Sequence, residues 1–219
     1  MRIDAVAWDI DGTLVDSEPL HHRALIEASA RFGVDLADLS PLAFRGIHME
    51  DVWSSLCNRY PPTLTRTAWL DEIESRYIAG VGGLRTLARA RETIERLHSA
   101  GVPQACVSNS SRRIVNTNLA TLGGLPYLRF SISLDDVTHG KPHPEPYTMA
   151  AERLGVAPVR LLAVEDSESG VASARAAGLR TAAIGAQMAG RVDWLIDSLT
   201  KVVDIVLSQV CAASGATNT

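Results

Sequence analysis

Asp9-Ile10-Asp11-Gly12-Thr13-Leu14-Val15-Asp16 follows directly on the short run Ile3-Asp4-Ala5-Val6-Ala7-Trp8. A run of this kind, closed by an acidic turn, reads as a buried strand that stops abruptly. Further runs behave similarly. Val102 to Val107 ends at Ser108-Asn109-Ser110-Ser111, and Leu161 to Val164 ends at Glu165-Asp166. Arg129 to Leu134 and Thr181 to Ile184 are the other strand candidates, the last ending at Gly185. Helical patterns over 87–100, 111–122, 144–154, 168–177 and 198–210 separate or follow them. Strand and helix in alternation argue for an α/β fold, a doubly wound parallel sheet covered on both faces.

Residues 17–80 break that rhythm. Leu20, Ala24, Leu25 and Ala28 fall at helical spacing, as do Val52 with Leu56 and Ile73 with Tyr77. No strand pattern stands out there, and Pro61-Pro62 forces a turn or a helix start. Gly80-Val81-Gly82-Gly83 suits a return linker. It does not satisfy GxGxxG and no strand precedes it, so it is no dinucleotide fingerprint. The expected division is an α/β core of 1–16 and 85–211, an inserted helical cap of 17–84 and a flexible tail of 212–219. A chain of 219 residues, about one and a half domains by length, has room for both.

The composition is that of an ordinary globular protein, with 46% apolar and 21% charged residues. Lys and Arg total 21 against 25 Asp and Glu, a net charge of −4, so no basic excess exists to grip a nucleic-acid backbone. Cys57, Cys106 and Cys211 form no CxxC pair, which argues against a disulfide framework and a cysteine zinc site. The first residues lack a signal-peptide pattern, and no apolar stretch reaches the ~18 residues of a membrane span. A cytoplasmic protein with no membrane or nucleic-acid partner is expected. No apolar assembly stripe stands out, so a monomer is the expectation.

Ligands of an open parallel sheet bind beyond the carboxyl ends of the strands. Here those ends carry Asp9 and Asp11, Ser108 and Asn109, and Glu165 and Asp166, with Lys141 in the loop Gly140-Lys141-Pro142. Carboxylates, a hydroxyl, an amide and an ammonium on one rim suit a hard divalent cation and a phosphate. Magnesium takes oxygen ligands from one or two carboxylates, phosphate and water. A calcium EF-loop fails, because no Asp or Asn follows at the required spacing before a glycine. Ser108 and Asn109 are also ordinary helix N-caps, which is the plain alternative for that pair.

The order Asp9-Ile10-Asp11-Gly12-Thr13, then Ser108-Asn109, then Lys141, then Glu165-Asp166 resembles the four motifs of the haloacid dehalogenase superfamily. The likeness spans residue 4 to about 184. Asp16-Ser17-Glu18 with His21, the helical insert and Lys141-Pro142 resemble the branch of β-phosphoglucomutase and small phosphatases. The resemblance implies an aspartyl-phosphate formed on Asp9 and proton transfer by Asp11. It implies Mg2+ held by Asp9, the Asp11 backbone carbonyl and Asp166, with Glu165 orienting a metal-bound water. Thr13, Ser108 and Asn109 would bind phosphate, and Lys141 would balance charge on phosphate and on Asp9.

In the insert, Glu18 and His21 are the substrate-binding candidates by their match to the branch, and Arg45 and His48 are further candidates. Trp53 and Trp69 read as cap core, and His98 and His139 as surface. The mutase branch has an arginine in its cap where this chain has Met49, so hydrolysis of a single phosphate is favoured over mutase chemistry. A Pro-Gly common where the chain re-enters the core is replaced by Leu87-Ala88-Arg89-Ala90-Arg91. Haloacid dehalogenation itself is disfavoured by Asp11, because a departing halide needs no proton. The expectation is therefore a Mg2+-dependent phosphatase for a small phosphorylated metabolite, such as a sugar phosphate or phosphoglycolate. The alternatives are a phosphosugar mutase and a non-catalytic binding protein on the same fold.

Overall fold

The computed structural model describes residues 2–40, 43–44 and 49–214, with side chains described to residue 208. Arg45, His48 and the last residues of the expected tail lie outside the described residues. The chain divides into two compact units, Met1–Asp16 with Thr86–Thr219, and Ser17–Arg85.

In chain order the elements are β1 (Ala5–Trp8), β2 (Val15–Asp16), α1 (Glu18–Arg31), α2 (Met49–Leu56) and α3 (Arg66–Ala79). Then come β3 (Arg85–Thr86), α4 (Ala90–Ser99), β4 (Gln104–Val107), α5 (Arg112–Leu122), β5 (Phe130–Ile132) and α6 (Glu145–Leu154). The chain finishes with β6 (Leu161–Glu165), α7 (Glu168–Ala176), β7 (Arg180–Ile184), β8 (Trp194–Ile196) and α8 (Thr200–Ser214).

The first unit carries a six-stranded sheet in the order β5-β4-β1-β6-β7-β8, parallel at every pairing. Strand alternation sorts its side chains to two faces. Ala5, Ala7, Val107, Ile132, Leu161 and Ala163 pack with Tyr147, Ala150 and Ala151 of α6 and Ala174 of α7. On the other face, Trp8 Nε1 donates to Gln104 Oε1 at 3.0 Å, and Gln104 Nε2 donates to the Ile94 carbonyl of α4 at 3.0 Å. That buried glutamine is satisfied at both ends, which is what a polar group in a sheet core requires. The central strands are wholly buried, as expected of a sheet sandwiched between helices.

The strand β8 is an addition to the five read from sequence. It has three residues, and Leu195 on it is exposed, so neither length nor pattern distinguishes it from a loop. Its entry is fixed by side-chain chemistry: Asp193 Oδ2 accepts the Thr181 backbone N–H at 2.8 Å. The two-residue strands β2 and β3 also lie below what periodicity can detect.

The second unit is built on α1 packed against α3. Leu20, Ala24, Leu25 and Ala28 line the buried face of α1, and Trp69, Ile73 and Tyr77 that of α3. Thr65 caps α3 by accepting the Ala68 N–H at 3.2 Å. Trp53 and Trp69 lie with ring centroids 5.2 Å apart, so both belong to the packing of this unit. Among the described residues, no helix is long and apolar enough to cross a membrane.

Candidate active site

The alternation that builds the sheet also aims the acidic groups. Asp9 continues the Ala5, Ala7 register of β1, and Glu165 continues the Leu161, Ala163 register of β6. Both therefore turn toward the α6 side of the sheet. Lys141, from the loop before α6, meets them there. Its Nζ donates to Asp9 Oδ1 at 2.8 Å, to Glu165 Oε1 at 2.6 Å and to the Val107 carbonyl at 2.8 Å. Lys141 is 3% exposed and Glu165 0%, so this ammonium sits inside the protein with all three donors engaged.

Burial alone would depress the Lys141 ammonium, but the Asp9 and Glu165 carboxylates hold it above its usual value. The Tyr147 hydroxyl also donates to Glu165 Oε1, at 2.5 Å. Burial, and then the Glu165 charge, push that phenol well up, so it stays a donor. The other oxygen, Oε2, accepts from Ser167 Oγ at 3.3 Å. Gly170, in the first turn of α7, lies so close that a Cβ there would fall 1.9 Å from Glu165 Oε2.

Asp11 faces a different set. Ser108 Oγ donates to its Oδ2 at 3.1 Å and Ser110 Oγ at 2.9 Å, while Asn118 Nδ2 donates to Oδ1 at 2.9 Å. Neither Ser108 nor Asn109 caps α5. That role belongs to Ser111, which accepts the Ile114 N–H at 3.4 Å. Asn109 instead brackets the Lys141 peptide: its Oδ1 accepts the Lys141 N–H at 2.8 Å and its Nδ2 donates to the Lys141 carbonyl at 2.9 Å. The side chain expected on phosphate thus has both ends on the lysine loop.

Thr13 lies in the turn that follows Asp11. Its hydroxyl is buried without a hydrogen-bond partner, and its N–H donates to the Ile10 carbonyl at 3.3 Å. Gly12 shapes the turn, with φ of +84°. A Cβ at Gly12 would stand 2.1 Å from Asp166 Oδ2, so glycine here makes room for a carboxylate as well as for the backbone.

Asp9, Glu165 and Asp166 each offer an oxygen, all within 4.8 Å of one another. Burial pushes the Asp9 carboxyl well up; Lys141 opposes, and Glu165, Asp166 and Asp11 add to the rise. Asp166 is pushed up to about 7, by burial first and Glu165 second. Asp9 Oδ2 is buried with no hydrogen-bond partner. An orphaned oxygen among crowded carboxylates fits a hard divalent cation, which would satisfy the oxygen and offset the repulsion. Glu165 is the member least open to it, since Lys141 and Tyr147 hold its Oε1.

The first unit thus brings together Asp9, Asp11, Ser108, Asn109, Lys141, Glu165 and Asp166. Glu18 and His21 belong to the second unit. Glu18 is in the first turn of α1, and the His21 ring lies 4.4 Å from that of Tyr77. Sequence reasoning passed over Ser110, Asn118 and Tyr147. Asn118 had a signal, being a polar residue on the apolar stripe of α5 with Ile114, Val115, Leu119 and Leu122.

Comparison with known proteins matches residues 3–178 to the haloacid dehalogenase-like hydrolase family. Hexitol phosphatase A of Escherichia coli (strain K12) is 31% identical over 214 residues, covering 92% of this chain and 94% of that protein. A phosphoglycolate phosphatase of Pectobacterium atrosepticum is 34% identical over 184 residues, covering 82% and 79%. Among solved structures, CbbY from Rhodobacter sphaeroides in complex with phosphate superposes with a TM-score of 0.82 at 27% identity, covering 91% of this chain and 96% of that one.

Proposed function

The chain belongs to the haloacid dehalogenase-like hydrolase family, and from that premise we propose that it is a Mg2+-dependent phosphatase of small phosphorylated metabolites. The observation that carries the reading is the buried Asp9–Lys141–Glu165 arrangement with Asp11 held separately beside it. Relatives named as hexitol and phosphoglycolate phosphatases support the substrate class.

Asp9 is the nucleophile: an oxygen of its carboxylate attacks phosphorus, and the phosphate ester bond to the leaving alcohol breaks. The proton that the departing oxygen needs comes from Asp11. Asp11 then takes a proton from the water that hydrolyses the aspartyl-phosphate. Two carboxylates divide these roles because their surroundings differ: a lysine faces Asp9, while hydroxyls and an amide face Asp11. Asp9, Asp166 and the Asp11 backbone carbonyl would hold Mg2+, which when bound neutralises charge between nucleophile and phosphate. Lys141 opposes the rise in the Asp9 carboxyl and fixes its direction, and Glu165 with Tyr147 fixes Lys141. Asn109 contributes by holding the lysine loop, and Ser108 by turning to phosphate, when substrate binds, the single hydroxyl proton that it gives to Asp11 in this structure. Glu18 and His21 of the helical unit are the further candidate substrate-binding residues.

The test is phosphate release from an aryl phosphate and a panel of phosphorylated metabolites, with and without Mg2+. Mg2+-dependent release lost in Asp9→Asn, together with a phosphoryl group recovered on the Asp9 peptide after acid quenching, is the expected result. Full activity of Asp9→Asn overturns the mechanism.

A further inference from the structure

Two residues to either side of Lys141 stand imidazoles that the phosphatase reading does not use. His139 and His143 are exposed, with ring centroids 4.6 Å apart. Glu145, the first residue of α6, joins them. Its Oε2 lies 3.1 Å from His139 Nδ1 and 3.9 Å from His143 Nδ1. We propose that His139, His143 and Glu145 form a second metal site, selective for a borderline divalent transition ion such as Zn2+, on the loop that carries Lys141.

The spacing suits such an ion. Bonds of about 2.0–2.1 Å in a tetrahedral site place neighbouring ligand atoms about 3.3 Å apart. His139 Nδ1 and Glu145 Oε2, 3.1 Å apart, are already near that separation, and His143 Nδ1 and Glu145 Oε2, 3.9 Å apart, are about 0.6 Å beyond it, within reach of side-chain rotation. The carboxylate is also prepared. Glu145 accepts the backbone N–H groups of Thr138 at 2.8 Å and of His139 at 3.0 Å, which fix its orientation. Those bonds hold its carboxyl below the usual range, so it stays anionic. His143 Nδ1 accepts the Glu145 N–H at 3.2 Å. The ion replaces that contact and the His139 Nδ1 to Glu145 Oε2 hydrogen bond, and the exposed Glu145 N–H passes to water.

Ligand chemistry separates this site from the one at Asp9. Two imidazoles with one carboxylate favour Zn2+, Co2+ or Ni2+ over Mg2+, whereas an all-oxygen set favours Mg2+. Three protein ligands leave one position for water. Occupancy would staple the ends of the segment 139–145 and so restrain the loop from which Lys141 enters the core.

The experiment is a Zn2+ titration of the full chain labelled with 15N-histidine, in excess Mg2+ so that the carboxylate site is already filled. Of the six histidines, His139 and His143 are expected to shift together and to saturate at one Zn2+ per chain. In His143→Asn, with the loop otherwise intact, the affinity read at His139 should fall by about tenfold or more, and Glu145→Gln should act in the same direction. Parallel shifts of all histidines, no shift at His139 and His143, or unchanged affinity in His143→Asn would each overturn the site. None of these readouts depends on phosphatase activity.

Discussion

Lys141 Nζ and Glu165 Oε1 are 2.6 Å apart, and both side chains are almost wholly removed from solvent. Charges in such a place are costly to leave unpaired, and breaking a buried pair from one side typically costs about 3–5 kcal/mol. Lys141→Met is therefore expected to lower unfolding free energy by an amount of that order, measured by denaturant titration. It should also reduce phosphate release by more than about a hundredfold, since preorganised charge at a reaction centre is worth that much. A variant of native stability and activity would refute the structural role assigned to the ammonium.

Gly170 supplies a sign test. In an ordinary helix, glycine to alanine stabilises by about 0.5–1 kcal/mol. Here the added Cβ would meet the Glu165 carboxyl carbon at 2.0 Å. Gly170→Ala is expected to destabilise, and thermal unfolding decides the sign.

Gly12→Ala combines two penalties. The φ of +84° disfavours any side chain, at about 1–2 kcal/mol, and the new methyl would collide with Asp166. Asp166 must swing aside, so Mg2+ affinity should fall by more than about tenfold when measured by calorimetry. Unchanged affinity would remove Asp166 from the proposed metal site.

The Asp166 carboxyl, raised to about 7, also fixes a pH response. A raised carboxyl stabilises the folded metal-free protein most below its unfolded value. That contribution is lost as pH rises through about 7. Metal-free protein should thus become less stable, from this group, between mildly acidic and mildly alkaline pH. Mg2+ should reverse the trend, because it binds the ionised form. Its affinity should weaken by about tenfold per pH unit below the midpoint. Melting curves with and without Mg2+ across that window check both signs.

The strands' chemistry is readable because three of the four motifs close an apolar run, and runs end where a sheet presents its carboxyl edge; Lys141 lies in a loop. Asp9, Ser108, Lys141 and Asp166 all come to that edge of the first unit. Glu165 and Asp166 read as a pair, yet only Glu165 belongs to β6, and Asp166 lies just past its end. Alternation sends Glu165 under α7 to Lys141, a distinction that adjacency in sequence conceals. The cyclic pair of hydrogen bonds from the Asn109 side chain to the Lys141 peptide is not legible in sequence, because its partner lies 32 positions away. Tyr147 was hidden as one more apolar ring facing the sheet. β8 was hidden because a three-residue edge strand carries too little pattern to declare itself.

The cyclic pairing of Asn109 with Lys141 makes the lysine's arrival conditional on β4 having reached its final place. Asn109 lies just past the carboxyl end of β4, and the same ammonium reports on β1 through Asp9, on β4 through the Val107 carbonyl and on β6 through Glu165. A chain with any of those strands out of register has no assembled centre. Turnover should therefore act as an all-or-none reporter of correct assembly, and a library screened for activity would be screened for the fold at the same time.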